Sequence, residues 1–485
     1  MDGLTRRQLL VRGTVIAFGA VPFADALASA APPSGIFREL DRSLRGDVVQ
    51  RGASGYDAAR VLYNTRFDGV KPQAIAFCES VADVQKTVHW ARKHGVRIVA
   101  RSGGHSYGGY STTSGVIVDV SRLNAITLTA SGRAAIGAGS RVIDVYTSLA
   151  KRGRTVPAGT CATVGFAGLA LGGGIGMSAR KFGLTSDNLL EATVVLADGR
   201  VVVAGADEHP DLYWALRGGG GGNFGIVTRL VFGTHPVDEV VTYSLEWPWA
   251  DAKRVIDAWQ KFAPHAPDGL FSVLNVNAAA GSSASPHITS AGQFYGSEDR
   301  LRALLQPLAA AGTPLRFTTR RRSYLDAQVM WAGSRGRATF AGKSSLSNRL
   351  LSSAGIDALL HQLEARRATG TGSGIVLLDS WGGAINRVPK ARTAFVHRDA
   401  LFSMQYLAYW DASASAAPNV AWLRRCYAAL RPHVSGFAYQ NYIDPDLSSW
   451  QHAYYGSNLP RLQRIKRAYD PNNVFHSKQS IRLSP

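Results

Sequence analysis

Short apolar runs alternate with helix-periodic segments along the first half of the chain, which predicts a mixture of strands and helices. A Ser-x-x-Asp capping box at 80–83 begins one helix, and Gly95 ends it. The strand at 96–100 then leads directly into a glycine-rich loop. The pattern predicts an α+β domain over residues 36–237. Its other predicted strands are 74–78, 116–120, 133–137, 189–196, 201–204 and 226–232, and its other helices are 142–152 and 209–217.

The middle of the chain, residues 238–435, has a different pattern. Segments in which apolar and polar residues alternate, as in strands, are separated by helix-periodic segments. Such a pattern is typical of an antiparallel sheet whose one face is covered by helices. We therefore predict a second domain here. The predicted strands are 240–247, 270–276, 288–295, 375–380 and 401–409, and the predicted helices are 252–262, 298–311, 344–350, 355–367 and 417–429.

Composition agrees with a large globular protein. The 485 residues are 46% hydrophobic and 18% charged, and a chain of this length forms more than one domain or lobe. No segment has the uninterrupted apolar length of a membrane span, so we expect no stable membrane insertion. The net charge of +20 comes mostly from scattered arginines and no nucleic-acid motif accompanies it, so we expect no nucleic-acid partner.

The first thirty residues have the features of a targeting segment rather than of a folded element. Residues 5–10 resemble a twin-arginine signal through Arg6 and Arg7, a mild apolar stretch follows at 11–20, and residues 28–30 offer a small-residue cleavage site. We predict that residues 1–30 are a signal peptide and that the protein is exported through the twin-arginine pathway, to the cell envelope or beyond it.

Two glycine-rich loops each contain one nucleophilic side chain. The first, 101–109, contains His105, and the second, 159–165, contains Cys161 and runs into the glycines at 172–176. Glycine allows a backbone to approach a ligand closely, and its bare N–H groups can line a phosphate-binding nest. The two loops therefore predict a cofactor site.

Two other glycine motifs do not fit the nucleotide sites that they resemble. Residues 220–225 match G-x-G-x-x-G, but a predicted helix precedes them and a strand follows, which reverses the order of a Rossmann fingerprint. The Gly-Lys-Ser at 342–344 lacks the first glycine of a P-loop, because Arg337 stands in its place.

The first loop reads Arg-Ser-Gly-Gly-His-Ser-Tyr, and Gly-Thr-Cys follows at 159–161. This pair of motifs resembles the vanillyl-alcohol-oxidase superfamily and, within it, the berberine-bridge-enzyme-like oxidases. The resemblance implies a two-lobed FAD-binding domain of the PCMH type and an FAD held by two covalent bonds. His105 would bond the flavin 8α-methyl carbon, and Cys161 would bond carbon C6 of the flavin ring.

The C-terminal segment, 436–485, resembles the same family through Tyr-x-Asn-Tyr-x-Asp at 439–444. The resemblance implies that this segment completes the FAD-binding domain, so that 238–435 is an inserted substrate-binding domain. We expect no metal. Carried over by motif, the cofactor-binding residues are Arg101, Ser102, Gly103, Gly104, His105, Ser106, Tyr107, Gly159, Thr160, Cys161, Val164, Gly165, Gly168, Gly173, Gly174, Gly176, Gly225, Ile226, Val227, Asn441 and Tyr442.

Alcohol oxidation needs a base that takes the hydroxyl proton, and the resemblance offers Tyr442 for this role, with Tyr439 next. The ordinary pKa of tyrosine is too high for this work, so a cation, Arg398 or His397, would have to lower it. The alternative is that Tyr442 only packs against the cofactor. Gln405 would orient a substrate hydroxyl, although strand periodicity alone favours a solvent-facing residue.

These features predict a secreted FAD-linked oxidase that acts as a monomer on a small-molecule substrate. The substrate is a hydroxyl group of a sugar, oligosaccharide or secondary metabolite, and molecular oxygen is the acceptor. The resemblance places Val164 beside the path of oxygen, where a small side chain favours an oxidase. Two alternatives stay open: a dehydrogenase with another acceptor, and a flavin-carrying binding protein without turnover.

The cysteine count of three is odd. If Cys161 carries the flavin, Cys78 and Cys426 remain, either as a disulfide in an oxidising compartment or as two buried thiols. Their apolar neighbours in the sequence favour buried thiols.

Overall fold

The computed structural model describes residues 34–279, 286–333, 336–369 and 372–483. The segment predicted to direct export, residues 1–30, lies outside these ranges, so export stays a prediction. Within the described ranges, no helix has both the length and the apolar character needed to cross a membrane. The same ranges contain no cluster of His, Cys, Asp and Glu side chains that could hold a metal ion.

The chain before residue 238 forms two small sheets with helices packed on them, and a separate two-stranded pair. The strands are β1 (Asp47–Gln50), β2 (Ala74–Phe77), β3 (Ile98–Arg101), β4 (Val116–Asp119), β5 (Ile126–Leu128), β6 (Arg133–Gly137), β7 (Arg154–Thr155), β8 (Leu189–Val195), β9 (Val201–Ala204), β10 (Ile226–Gly233) and β11 (His235–Pro236). The helices are α1 (Ser34–Ser43), α2 (Tyr56–Arg60), α3 (Val81–His94), α4 (Val142–Ala150), α5 (Phe166–Leu171), α6 (Ala179–Phe182) and α7 (Pro210–Leu216).

The first sheet has the order β1-β2-β4-β3, with β2, β4 and β3 parallel, and the second has the order β5-β6-β10-β8-β9 and is antiparallel. The separate pair is β7 with β11. Helix α3 begins and ends at the capping residues that the sequence predicts. The Ser80 hydroxyl accepts the backbone N–H of Asp83 at 3.1 Å, and the Asp83 carboxylate accepts the N–H of Ser80 at 3.2 Å. Gly95 ends the helix at φ 62°, in the left-handed region.

The middle of the chain forms one seven-stranded antiparallel sheet of order β15-β12-β14-β13-β17-β18-β16. Its strands are β12 (Glu239–Pro248), β13 (Leu270–Ala279), β14 (His287–Phe294), β15 (Arg316–Ser323), β16 (Thr339–Ser347), β17 (Ser373–Ser380) and β18 (Phe402–Trp410). The helices are α8 (Ala252–Phe262), α9 (Glu298–Ala309), α10 (Tyr324–Ala332), α11 (Ser353–Ala368), α12 (Ala384–Arg387) and α13 (Ala416–Leu430).

Helices cover one face of this sheet, as predicted. Side chains of α8, α9, α11 and α13 pack in one core with alternate residues of the strands, among them Leu274, Val276, Leu378 and Met404. The residues between them in sequence point to the opposite face. That face is therefore free to form the wall of a site.

The helix predicted at 344–350 is wrong, because residues up to Ser347 belong to strand β16, which pairs with β18. The strand is almost completely buried, and its polar side chains find partners in the C-terminal segment. The Ser344 hydroxyl accepts the N–H of Tyr439 at 3.0 Å, and the backbone of Leu346 pairs with Phe437. Tertiary contacts thus override a sequence without β propensity.

The C-terminal segment returns to the first part of the chain. It forms α14 (Trp450–Tyr455) and α15 (Leu459–Tyr469), whose apolar side chains join the core of the two small sheets. The Lys466 ammonium, fully buried, donates to Asp470 at 2.6 Å and to the carbonyls of Asn223 and Phe475. The segment predicted to complete the first domain packs against it.

The two other cysteines belong to different cores. Cys78 packs with the small sheets, whereas Cys426 packs under the large sheet, and both are free thiols. Burial raises the pKa of each thiol to about 12. The structure therefore favours two inert buried thiols over a disulfide.

A buried ion pair joins the large sheet to the C-terminal segment. Lys343 on β16 donates to both carboxylate oxygens of Asp444 at 2.8 Å, and both side chains are at most 5% exposed. Asp446, which Arg424 also binds, lies 3.2 Å from the same ammonium. Removing one partner of such a pair leaves the other charge buried and uncompensated.

We expect Lys343→Met to lower the free energy of unfolding by about 3 kcal/mol, because it leaves the Asp444 carboxylate buried without the ammonium that compensates its charge. The measurement is the shift of the urea unfolding midpoint. Lys390→Met is the matched control, since its ion pair with Asp399 is about half exposed and should contribute about 1 kcal/mol or less. Equal midpoint shifts in the two variants would contradict the role of the buried pair.

Candidate active site

A cavity of about 530 Å³ lies between the two glycine loops, the C-terminal segment and the free face of the large sheet. This volume is within the range of small-molecule and cofactor sites. His105 and Cys161 both line it, although 56 residues separate them in the sequence. The fold therefore brings the two predicted nucleophiles to one site.

The two glycine loops pass in backbone-to-backbone contact. A Cβ atom on Gly103 would overlap the backbone nitrogen of Gly165, and one on Gly165 would overlap the nitrogen of Gly103. Neither position has a positive φ, so glycine is required here for space alone. The Ser102 hydroxyl secures the first loop by donating to the carbonyl of Ala138 at 2.6 Å.

The third glycine turn is held by the C-terminal segment. Gly173 and Gly174 have φ of 120° and 85°, which favour glycine. The Tyr439 hydroxyl accepts the N–H of Gly174 at 2.7 Å and the amide of Asn441 at 2.8 Å, while Asn441 also donates to the carbonyl of Leu169. Both lone pairs of the Tyr439 hydroxyl are thus engaged, which favours an anchoring role over a catalytic one.

His105 is held as a neutral imidazole. Its Nε2 atom lies 2.7 Å from the Thr163 hydroxyl, and its ring stacks on Tyr63 with centroids 3.9 Å apart. Burial, and then the charge of Arg141, lowers the pKa of His105 to about 4. A neutral ring with an available lone pair is the nucleophilic form of histidine.

Most of the predicted cofactor residues line the cavity, but four do not. Arg101 instead forms a buried ion pair with Asp119 at 2.5 Å. Gly173 and Gly174 form a turn next to the cavity without lining it. Ile226 packs in the hydrophobic core, whereas Gly225 and Val227 on either side of it line the cavity. The predicted residues that do line it are Ser102, Gly103, Gly104, His105, Ser106, Tyr107, Gly159, Thr160, Cys161, Val164, Gly165, Gly168, Gly176, Gly225, Val227, Asn441 and Tyr442.

Two parts of the wall were not predicted from the sequence. The glycine run at 220–222, whose motif does not fit a Rossmann site, contributes to the cavity together with Asn223. Ser477 and Ser480, near the end of the chain, do so as well. The density of glycines was a usable signal for the first part, whereas nothing local distinguishes the two serines.

Tyr442 lies at the end of the cavity that faces the large sheet. Its ring stacks on Tyr107 at 5.4 Å and meets Tyr439 edge-on at 4.9 Å. Burial, and then the nearby charge of Asp379, raises the pKa of Tyr442 well above its ordinary value. The environment thus holds the phenol in its protonated form.

The cation that was expected to lower this pKa is not there. Arg398 makes two bonds to Asp187, at 2.6 and 2.8 Å, and His397 bonds the backbone carbonyl of Tyr454. Neither residue lines the cavity, and burial lowers the pKa of His397 to about 4. The prediction that either one activates Tyr442 is wrong, because both serve the packing between segments.

Asp379 is the functional candidate that the sequence did not reveal. It lies on β17 with its side chain in the cavity wall, where it is half-buried, and accepts the Ser403 hydroxyl at 3.0 Å. Burial raises the pKa of Asp379 to about 6, with Ser403 opposing the shift. A carboxylate that titrates near neutral pH is suited to accept a proton from substrate. A strand aspartate among alternating residues carries no local mark of this role.

Gln405 faces the cavity and not the solvent. It is 6% exposed, and its amide donates to the Tyr107 hydroxyl at 2.5 Å. The interpretation as a solvent-facing strand residue is therefore wrong, because the face of β18 that carries Gln405 is covered by the first domain. Gln405 fixes Tyr107, which in turn stacks on Tyr442.

A two-lobed α+β unit with interlocked glycine loops, next to an inserted antiparallel sheet with a carboxylate in the cavity wall, defines a flavin-dependent oxidoreductase. Residues 72–205 match the FAD binding domain, and residues 438–482 match the berberine and berberine-like domain. The chain belongs to the berberine-bridge-enzyme-like FAD-linked oxidoreductases.

The relatives cover almost the whole chain. YgaK of Bacillus subtilis, an uncharacterized FAD-linked oxidoreductase, is 35% identical over 451 residues, which are 90% of this chain and 97% of the relative. A chitooligosaccharide oxidase of Gibberella zeae is 32% identical, over 89% and 91% of the two chains. The solved structure of BBE-like 1 of Physcomitrella patens has a TM-score of 0.86 at 33% identity, over 93% and 99%. The predictions of the family, of its fold and of an FAD-linked oxidase enzyme are confirmed.

The residues of the cavity fit FAD. Bare glycine backbone lines part of the wall: a Cβ atom at Gly168 or Gly222 would meet no protein atom within 4 Å, so these positions leave space for a ligand. The donor set supplies backbone N–H groups for a diphosphate, a neutral imidazole at His105 and a free thiol at Cys161.

We expect Gly103→Ala to prevent stable FAD binding, because the new methyl group forces the two loops apart at a packing cost of roughly 1–3 kcal/mol or more. The measurement is the flavin-to-protein absorbance ratio of the purified protein. Gly233→Ala is the control, since a Cβ atom at the end of β10 meets nothing within 4 Å. A full flavin complement in Gly103→Ala would contradict the close-approach argument.

Proposed function

We propose that this chain oxidises a hydroxyl group of a carbohydrate or a similar small alcohol, with FAD bonded to both His105 and Cys161. The observation that carries the proposal is the cavity itself, on which Asp379, Tyr442 and Gln405 converge with the two nucleophiles. The similarity to a chitooligosaccharide oxidase supports an oligosaccharide as the first substrate class to test. Bleaching of the flavin by a panel of sugars and alcohols, without oxygen, tests it directly; no bleaching by any member would favour a binding protein.

Double attachment is supported by the placement of the two nucleophiles. His105 is neutral and restrained, and Cys161 is a free thiol that is only partly buried. The two loops that carry them are in backbone contact, so one ligand in the cavity is within reach of both. Covalent bonds at two points would fix the cofactor against the sheet wall without further contacts.

Bound FAD supplies the acceptor for the hydride that leaves the substrate carbon. The chain must therefore remove the hydroxyl proton. We assign the final proton acceptor to Asp379, because Tyr442 is held protonated by burial and by that same carboxylate. We propose that Tyr442 takes the substrate proton as it gives up its own toward Asp379, the carboxylate whose charge acts on it. Gln405 holds Tyr107, on which Tyr442 stacks.

We expect Asp379→Asn to slow anaerobic flavin reduction by roughly 10²–10⁴-fold, the usual size of general-base catalysis. Because the pKa of Asp379 is raised to about 6, its active ionised form is present above that pH and is lost below it. In the wild type, the rate of flavin reduction at limiting substrate should increase as the pH rises through about 6. In the variant, this increase of the rate around pH 6 should be absent. Stopped-flow absorbance at a series of pH values measures both.

Tyr442→Phe should slow reduction to a similar degree, since the relay loses its middle group. Tyr427→Phe is the matched control, because Tyr427 packs against Tyr406 on the helix-covered side of the sheet. An Asp379→Asn protein with wild-type rate and pH profile would move the acceptor role away from this carboxylate.

Oxygen is the proposed acceptor, and Val164 supports it. Val164 lines the cavity three residues after Cys161, and its position is set by two backbone bonds, to the carbonyl of Cys161 and from the N–H of Val142. A side chain at this position stays close to a flavin bonded to Cys161. Its small size leaves space in which oxygen can approach.

We expect Val164→Leu to slow reoxidation by air by about tenfold, because the larger side chain fills the space through which oxygen approaches the flavin. Anaerobic reduction by substrate should be almost unchanged, and Val164→Ala should reoxidise at least as fast as the wild type. Stopped-flow reduction and reoxidation are measured on each protein. Wild-type flavin that stays reduced for minutes in air-saturated buffer would favour a dehydrogenase with another acceptor.

A further inference from the structure

Thr163 connects the two nucleophile loops at the reactive histidine. It lies two residues after Cys161, and its hydroxyl is 2.7 Å from Nε2 of His105. Among the residues that the structure describes, this is the one hydrogen bond to the Thr163 hydroxyl, and no acceptor is seen against Nδ1 of the ring. Tyr63, which lies just after helix α2, stacks on the ring and leaves it little freedom to turn.

A neutral imidazole has one protonated and one nucleophilic nitrogen, and a hydrogen-bond partner decides which is which. The Thr163 hydroxyl occupies Nε2, so Nδ1 is the ring nitrogen that stays open to a ligand in the cavity. If Nε2 carries the proton, that proton is donated to the Thr163 hydroxyl, and Nδ1 presents its lone pair. With Nε2 held by Thr163, only this form leaves a nucleophilic lone pair on the nitrogen that is open to a ligand.

We propose that Thr163 is a positioning residue for cofactor attachment: it fixes His105 in the form protonated on Nε2, so that Nδ1 forms the bond to the flavin. The inference rests on the proposed attachment through His105. The new C–N bond replaces one C–H bond of the flavin 8α-methyl group. The proton of that bond and the Nε2 proton of the newly bonded imidazole are both released, the two electrons of the C–H bond pass to dioxygen, and dioxygen takes up two protons to become hydrogen peroxide.

The test reads the two bonds separately on the full-length protein. Trypsin releases His105 in the peptide 102–122 and Cys161 in the peptide 155–180, so a doubly attached flavin joins the two peptides. Mass spectrometry of digests, taken at matched times after induction, gives the fraction of flavin that joins both peptides and the fraction on 155–180 alone. No measurement of turnover is needed.

We expect Thr163→Val, which keeps the shape of the side chain, to form the His105 bond about tenfold more slowly, as when the hydrogen-bond partner of a functional imidazole is lost. Thr163→Ser should restore the wild-type time course, because it retains the hydroxyl. Thr87→Val is the matched control: this buried threonine donates to its own helix at the carbonyl of Asp83, away from the cavity. It should attach flavin as the wild type does.

Joined peptides at the wild-type rate in Thr163→Val would overturn the role of Thr163 and leave the double attachment intact. A Thr163→Ser protein as slow as Thr163→Val would overturn it too, since the hydroxyl would then be irrelevant. If Thr163→Val is insoluble, Thr163→Ala is the second hydroxyl-free variant and has the same two outcomes. A wild-type digest without joined peptides would refute the proposed attachment itself, and the inference with it.

Discussion

The site depends on one steric constraint, the backbone-to-backbone passage of two glycine loops. Gly103 and Gly165 lie so close that neither tolerates a Cβ atom. This passage places His105 and Cys161 on one cavity and sets the Thr163 hydroxyl against the imidazole. Because the contact is between backbones, side-chain changes elsewhere in the loops can tune the chemistry without moving the two nucleophiles apart.

Burial determines the proton chemistry at the opposite wall. The same exclusion of solvent that raises the pKa of Asp379 to about 6 keeps Tyr442 protonated and His105 neutral. Each group is thereby held in the form that its role requires: a proton acceptor, a proton carrier and a nucleophile. Few charged side chains are needed, since low polarity shifts all three equilibria in the useful direction.

The inserted sheet must keep its place relative to the cofactor loops, and buried charge pairs hold it there. Lys343 of the sheet binds Asp444 of the C-terminal segment, and Arg398 binds Asp187 of the first domain. Both pairs are nearly fully enclosed. Since a buried charge is costly unless its partner stays in position, these pairs disfavour any displacement that would separate the sheet from the flavin site.

The sequence by itself determined the elements and the two nucleophiles, because helix caps, strand periodicity and glycine loops act over short stretches of chain. It also indicated the family through the motifs around His105 and Cys161. Only the tertiary structure showed that Asp379 reaches the cavity and that 344–350 is largely strand, since both depend on residues distant in sequence. It also showed that Arg398 is already paired. The ionisation of a buried group is set by everything packed around it, and that environment exists only after folding.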